Sequence, residues 1–220
     1  MNRLATTLLV IVCLCAATSA MALDLQSRGT HAGSGPLVRP ASSTAVLGCD
    51  DGVDNSAWYQ NTDDRIGNLF DFGTGAVLSS VEFTHFGYGF AGPYNYDVEV
   101  WDPASCTFVG AKNGLVAGNA AGQSATESVD MCSAGLYLTG YQMVTIDPNT
   151  CLNPGDCYPD VEFDDQLNVQ CPVIIALATT APACYDISSQ GGPFLLRVGT
   201  NGCATPTKHN SWGQLKSVYR

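Results

Sequence analysis

Short apolar segments recur along the chain from Val46 onward, and glycine, proline, asparagine or aspartate separates them. Clear examples are IGNLFDF, VLSSVEF, YDVEVW, GLYLTGYQMVTI and CPVIIALAT. No stretch of a dozen residues keeps an apolar period of 3.6 without a glycine or proline, so little helix is expected. Turn signals return roughly every 8–12 residues, which is typical of sandwiches built from short antiparallel strands. The pattern therefore predicts an all-β antiparallel sandwich.

The strand signal is clearest between Val77 and Asp102. In VLSSVEF, Val77, Ser79, Val81 and Phe83 alternate with Leu78, Ser80 and Glu82. In DVEVWD, Val98 and Val100 fall on one face and Asp97, Glu99 and Trp101 on the other, as expected for a strand with one buried and one wet side. The intervening residues combine aromatics with Gly87, Gly89, Gly92 and Pro93, which predicts an aromatic loop or a glycine-bent strand edge.

Residues 1–22 have the pattern of a secretory signal peptide. Arg3 gives the positive start, Leu8 to Ala17 form the apolar segment, and Ala20 and Ala22 frame two cleavage sites. No later stretch approaches the roughly 20 apolar residues that span a bilayer, so membrane insertion is not expected. Residues 23–45 are rich in glycine, proline and serine and predict a flexible N-terminal segment, followed by one domain over residues 46–220. The expected location is secreted, in the medium or at the cell surface.

Eight cysteines remain beyond the predicted signal peptide, and an even number in an exported chain predicts four disulfides. Eight cysteines allow 105 connectivities, so spacing favours pairs without fixing them. We expect four pairs: Cys151 with Cys157, Cys171 with Cys184, Cys106 with Cys132, and Cys49 with Cys203. A zinc site is not expected, because no C-x-x-C pair is present and only His31, His85 and His209 supply imidazoles.

The chain is strongly acidic, with 20 acidic side chains against 9 basic ones and a net charge of −11. Such a field repels phosphate backbones and anionic lipid surfaces. Nucleic acid and membrane surfaces are therefore not expected as partners. The simplest explanation of the charge itself is that it keeps the protein soluble.

The segment CDDGVDNS is a candidate calcium site. Asp50, Asp51, Asp54 and Asn55 offer the hard oxygen ligands that Ca²⁺ takes, and Gly52 permits a sharp turn. Their spacing is not that of an EF-hand loop. The alternative is a turn in which the aspartates bind their own backbone.

A second acidic segment, YPDVEFDDQ, contains Asp160, Glu162, Asp164 and Asp165. Alternation on a strand places Asp160, Glu162 and Asp164 on one face, and paired carboxylates are what glycoside hydrolysis requires. A second calcium site is another alternative. We favour a solvated acidic strand followed by a turn.

Other catalytic signatures are missing from the sequence. There is no G-x-S-x-G elbow and no G-x-x-x-x-G-K motif, and the three histidines lie in contexts that suggest no catalytic pair. The sequence thus favours a protein that is not an enzyme.

The aromatic residues give the candidate ligand site. Aromatic rings beside Asp, Asn and Gln are how β-sandwich modules hold sugars. For Phe83, Phe86 and Phe90 the core is the favoured location. The side chains that we predict to bind a ligand are Tyr88, Tyr94, Tyr96 and Trp101; their alternative role is also in the core.

The order CDDGVDNSAWY, LSSVEF, YDVEVWD and finally SWGQLKSVYR resembles the jelly-roll-type β-sandwich domains of secreted bacterial proteins, including carbohydrate-binding modules. The resemblance covers most of residues 46–220 and brings no catalytic residues. It implies an extracellular, non-catalytic domain that binds a glycan or cell-surface ligand, with calcium as a structural ion near Asp50 to Asn55. The alternatives are a structural surface, matrix or filament subunit, and a glycoside hydrolase or lyase. Ligand, oligomeric state and disulfide pairing stay open.

Overall fold

The computed structural model describes residues 27–30, 45–50, 56–58, 64–153, 156–164, 171–177, 182–189 and 192–203. These residues form β-strands and one 3-10 turn, Cys132–Ala134. The strands are β1 Ser27–Thr30, β2 Ala45–Gly48, β3 Ser56–Trp58, β4 Asp64–Asp71, β5 Ala76–Phe86, β6 Tyr94–Asp102, β7 Thr107–Ala117, β8 Ser124–Asp130, β9 Tyr137–Leu138, β10 Tyr141–Pro148, β11 Thr150–Asn153, β12 Asp156–Tyr158, β13 Asp160–Phe163, β14 Pro172–Ala176, β15 Ala183–Asp186 and β16 Leu196–Thr200.

Two antiparallel sheets contain nearly all of these strands. The first sheet has the order β1-β3-β13-β5-β16-β2, with β8 and β9 also paired to β5. The second sheet has the order β15-β14-β4-β10-β6-β7, and β11 and β12 form a separate ribbon. The chain crosses directly from one sheet to the other after β3, β4, β5, β7, β9, β13 and β15, and it returns from β10 to β13 through the β11–β12 ribbon, as expected for a jelly-roll-like sandwich.

The two sheets pack face to face around one apolar core. Val81 and Phe83 of β5 belong to the same buried cluster as Val98 and Val100 of β6. The rings of Phe83 and Tyr96 meet edge to face across the sheets, with 5.2 Å between their centroids. The prediction of an all-β antiparallel sandwich stapled by disulfides is therefore confirmed.

Strand β5 is the centre of the first sheet. It pairs with β16 and β13 along one side and with β8 along the other, over seven registered pairs from Ser80–Asp130 to Phe86–Ser124. Its alternation continues beyond the predicted run to His85, which is fully buried on the core face. A register shift between Gly199 and Thr200 of β16 lies beside Leu78, which is also fully buried. The strict alternation predicted for VLSSVEF is therefore broken at this bulge.

Strand β6 has both faces covered, so the prediction of one wet face is wrong. Val98 and Val100 lie in the main core as predicted. On the opposite face Trp101 joins Met143, Val173 and Ile175 in a second buried cluster. Glu99 on the same face is also buried, because Trp101 Nε1 and Arg65 Nε both donate to its carboxylate.

Four disulfides are present, and one of the four predicted pairs is confirmed. Cys151–Cys157 closes the β11–β12 ribbon as expected. The other three pairings were wrong; the bonds are Cys49–Cys171, Cys106–Cys184 and Cys132–Cys203. These three join residues 71 to 122 positions apart, so sheet packing rather than proximity in sequence brought the partners together.

The N-terminal predictions are only partly visible. The predicted signal peptide, residues 1–22, lies outside the described residues. The predicted flexible segment, residues 23–45, contributes β1 and the first residue of β2. Within the described part of the chain, no helix is long and apolar enough to cross a membrane.

Candidate functional site

Three of the four aromatic residues predicted to bind a ligand lie in the protein interior. Tyr94 and Tyr96 are at most 2% exposed, and Trp101 is 5% exposed. Tyr94 stacks on Tyr158 with 5.2 Å between centroids, and its hydroxyl donates to the Phe90 carbonyl oxygen at 2.5 Å. These rings have no face free for a ligand, so the structure removes this support for a site built on them.

Sequence periodicity explains why the tyrosines are buried. Strand β6 begins at Tyr94, and Tyr94, Tyr96, Val98 and Val100 occupy successive inward positions. The alternation YNYDVEV was therefore the signal that placed both tyrosines in the core. Tyr88, in the loop after β5, is half-buried, and its ring lies 4.7 Å from that of Phe86.

Among the predicted calcium ligands, Asp50 alone belongs to the described part of the chain. Its side chain is fully buried, and Arg197 donates to both carboxylate oxygens, with an Nε–Oδ2 distance of 3.2 Å. Asp51, Asp54 and Asn55 lie outside the described residues. No group of three or more metal-ligating side chains occurs among the residues that were described, and calcium binding stays a prediction.

The acidic residues of β13 share one face as predicted, but the interpretation as a solvated strand is wrong. Asp160 and Glu162 are fully buried and Asp164 is 1% exposed. Ser124 of β8 donates a short hydrogen bond to Glu162. Asp160 lies opposite Phe86 of β5, whose partner on the other side is Ser124, so the Glu162 side chain reaches across β5 to contact β8. Asp165 lies outside the described residues.

His85 and Glu127 form a pair that the sequence did not reveal. Glu127 lies opposite Phe83 and so points inward from β8, where its Oε1 lies 3.4 Å from His85 Nε2 and 3.0 Å from Gly118 N. Burial would raise the pKa of Glu127, but the hydrogen bonds from His85 and Gly118 and the charge of His85 hold it below its ordinary value. The pair is a structural anchor for β8 rather than an accessible site, because His85 is completely buried.

An open cleft occurs at the other end of β5 and β8, and we call it the serine cleft. Its volume is about 220 Å³. The polar side chains that line it are Ser79, Ser80, Ser128 and Asp130. Val129, Cys132 and Gly202 complete the lining.

Antiparallel pairing positions these polar groups. Ser80 lies directly opposite Asp130, and the next outward pair is Glu82 with Ser128. Asp130 Oδ1 accepts a hydrogen bond from Cys132 N at 3.0 Å, and Lys112 donates to the Asp130 carbonyl oxygen. Asp130 and Ser128 are exposed, so their remaining hydrogen-bonding capacity faces solvent.

The far wall of the serine cleft is held by covalent and backbone contacts. Asn201 adopts a left-handed backbone conformation with φ +59°, and its N–H donates to the Val77 carbonyl oxygen at 2.8 Å. Its side-chain oxygen accepts from Val77 N at 3.1 Å. Cys203, which follows Gly202 in the chain, is bonded to Cys132. Gly202 is thus fixed beside the start of β5.

Ser79 is the most unusual member of the lining. The residue is 5% exposed, and its hydroxyl has no hydrogen-bond partner among the described residues. A buried hydroxyl without a partner is costly in free energy. The hydroxyl oxygen is closed to solvent in this structure, so a ligand or water in the serine cleft would recover that free energy only after a local shift of the cleft wall.

An exposed aromatic ring lies on β9, which pairs with the start of β5. Tyr137 of β9 is 64% exposed and pairs with Val77, two residues or about 7 Å along β5 from Ser79. Its hydroxyl lies against Gly75, where any β-carbon would collide with it. This contact orients a ring whose face remains open to solvent. The sequence indicated it only weakly, as one more tyrosine in the run GLYLTGYQ.

The lining of the serine cleft consists mostly of polar residues and carries one charged side chain. It offers hydroxyls that donate and accept and one carboxylate that accepts. Its lining contains no histidine and a single carboxylate. That set supports hydrogen bonding to a ligand.

Comparisons with known proteins do not identify a relative: no protein-family model, curated protein or solved structure matches the chain. The resemblance to jelly-roll domains of secreted bacterial proteins therefore stays a prediction.

Proposed function

We propose that this protein is a secreted, non-catalytic domain that binds a glycan at the serine cleft. The observation that carries the proposal is the buried, unpartnered Ser79 hydroxyl in a cleft that also offers Ser80, Ser128 and Asp130. Sugars present adjacent hydroxyls that both donate and accept, which is the chemistry of this lining. The volume of about 220 Å³ is below the roughly 300–1,000 Å³ of pockets for drug-sized ligands and suits a single sugar unit.

Tyr137, outside the cleft lining, would give an extended glycan a second contact, since its ring runs from Val77 toward Gly75 and away from Ser79. An exposed ring beside polar groups lets one face of a sugar stack while its hydroxyls bond elsewhere. Four disulfides agree with an oxidising compartment and thus with secretion. The acidic charge of the whole chain favours neutral over anionic glycans.

A glycan array followed by calorimetry on the best ligand tests the proposal. Ser79→Ala should weaken binding by about fivefold, since one hydrogen bond is worth about 1 kcal/mol, and should leave the melting temperature equal or higher. Tyr137→Ala and Asp130→Asn should also weaken binding. Tyr185→Ala is the matched control, because Tyr185 is an exposed tyrosine on β15 of the other sheet. Absence of binding to any glycan, or binding indifferent to all three site variants, would contradict the proposal.

A second candidate, a structural subunit that assembles through its sheet edges, is favoured by β7. This strand has eleven residues and, among the described strands, pairs with β6 alone. Phe108, Val109 and Val116 are each more than 40% exposed along it. An open edge with apolar side chains is a template for pairing with a second copy. Light scattering over a concentration series separates the candidates, because a persistent monomer contradicts assembly and leaves glycan binding unaffected.

A further inference from the structure

The disulfide Cys106–Cys184 joins elements from opposite sides of one sheet. Cys106 lies in the turn between β6 and β7, and Cys184 lies in β15 at the far edge of the second sheet. In a flat sheet, four strand spacings would place β15 about 19 Å from β6. The two Cα atoms are 5.6 Å apart. The turn and β15 are therefore drawn together over the outer face of the sheet.

That outer face carries the second buried cluster. Its members are Trp101, Met143, Val173 and Ile175, all at most 5% exposed. Trp101 lies opposite Met143 on β10, and Ile175 lies opposite Cys184 on β15. Cys106 and Cys184 both pack against this cluster. The disulfide is thus part of the cover over four large apolar side chains that belong to a separate cluster from the main core.

Cys106 is also the half-cystine with the least favourable backbone. Its φ is +49°, whereas none of the other seven bonded cysteines has a positive φ. The left-handed region is unfavourable for a residue with a β-carbon, so this bridge is anchored in a strained turn. Cys106 and Cys184 are half-buried, as are Cys49, Cys171, Cys132 and Cys203, so the backbone of Cys106 rather than exposure sets this bridge apart from those two. Strained and accessible disulfides are the ones that exchange most readily.

We propose that Cys106–Cys184 is a thiol–disulfide exchange site. Its reduction uncovers the second buried cluster, which contains Trp101, while the main core stays folded. The reductant is a dithiol. One of its thiolates attacks a sulfur of the bridge, forms a mixed disulfide and releases the other cysteine as a thiolate. Its second thiol then displaces the remaining cysteine. Two electrons and two protons pass to Cys106 and Cys184, and the reductant becomes a disulfide.

The other bridges explain why the main core survives this step. Cys132–Cys203 fixes the end of β16 beside β5 in the first sheet. Cys49–Cys171 connects β2 to the start of β14, and thereby joins the two sheets. Opening Cys106–Cys184 breaks neither link, so the change is confined to the outer face of the second sheet.

Graded reduction with dithiothreitol, followed by alkylation and peptide mapping, tests the order of opening. We expect Cys106 and Cys184 to be alkylated at least tenfold faster than Cys49, Cys171, Cys132 and Cys203. At that stage the tryptophan emission should shift to longer wavelength, a hydrophobic dye should bind, and the far-ultraviolet β signal should persist. The emission shift should be absent in Trp101→Phe.

Two double variants provide a second measurement. Cys106→Ser with Cys184→Ser should bind the dye without reductant. Cys151→Ser with Cys157→Ser removes the ribbon staple, which is remote from the cluster, and should not. If the first variant does not fold, graded reduction of the natural protein decides alone. The proposal is overturned if the core bridges open first, or if Trp101 stays buried after Cys106 and Cys184 are alkylated, or if their reduction coincides with loss of the β signal.

Discussion

Arg197 holds the carboxylate of Asp50 through two hydrogen bonds, and the side chain of Asp50 is fully buried. Glu82 lies directly opposite Arg197 on the neighbouring strand and is 4% exposed. Because Asp50 already takes the guanidinium, Glu82 Oε1 has no hydrogen-bond partner among the described residues. Burial raises the pKa of Glu82, the charge of Arg197 lowers it in part, and Asp50 raises it again.

Glu82→Gln is expected to raise the free energy of unfolding at pH 7 by about 1 kcal/mol, because it removes a poorly solvated charge. A carboxyl whose folded pKa is raised stabilises the fold fully below its unfolded pKa and loses that contribution as pH rises through the folded pKa. The variant and the natural protein should therefore converge below pH 4. Urea unfolding from pH 3 to pH 8 measures the difference. A variant that is less stable at pH 7 would contradict the expectation.

Glu127→Gln should have the opposite effect. The pKa of Glu127 is lowered, so its contribution is present above the unfolded pKa and is lost as pH falls through the folded value. At pH 7 we expect the variant to lose about 1.5–3 kcal/mol, the range for hydrogen bonds to charged groups, since His85 and Gly118 both contact Glu127. The same urea series checks it. Equal loss at pH 3 and pH 7 would show that ionisation is irrelevant.

Periodicity in the sequence was sufficient to predict the fold class and the buried face of β6. It did not predict that Trp101 and Glu99 are buried. A second cluster and the Arg65 side chain cover the face that the alternation predicted to be exposed to solvent. Burial on both faces depends on contacts between β4, β6, β10 and β14, which are distant in sequence. Local pattern carries no information about them.

The candidate site, too, could be predicted only in part from the sequence. The serine cleft combines β5 and β8 with Gly202, and a pairing register and a disulfide bring these elements together. The segment SATESVD does alternate, with Ser128 and Asp130 outward and Val129 inward, so the sequence was sufficient to predict the polar outer face of β8. The proximity of this strip to Ser79 could not be predicted, because it depends on contacts distant in sequence. Only one of the four disulfide pairs follows from local spacing.

Tyr94→Ala and Trp101→Ala should each lower the free energy of unfolding by about 3–5 kcal/mol, as large-to-small changes of buried aromatic residues do. Tyr137→Ala should change it by less than about 0.5 kcal/mol, because its ring is mostly in solvent. Denaturant unfolding at pH 7 gives all three values. A small loss for Tyr94→Ala would contradict the interior location of that ring.

Tyr94 also predicts a weakness at high pH. Burial first, and then Tyr158 and Asp160, raise the pKa of Tyr94 to about 12. Its stabilising contribution is complete below the unfolded value of about 10 and is lost as pH rises toward 12. Tyr94→Phe should therefore flatten the decline of stability between pH 10 and pH 12. An identical decline in both proteins would show that another group controls alkaline unfolding.

Asp50→Asn separates an ion-pair role from a calcium role. Since Arg197 binds both oxygens of Asp50, the variant should lose about 3–5 kcal/mol with calcium or with chelator, the cost of breaking a buried pair. Asp54→Asn is the matched variant within the same predicted calcium motif. If calcium binds this segment and Asp50 is not one of its ligands, calcium should raise the melting temperatures of the natural protein and of Asp50→Asn by similar amounts. The rise should be smaller for Asp54→Asn. A calcium effect that disappears in Asp50→Asn alone would instead make Asp50 a ligand and contradict its assignment to Arg197.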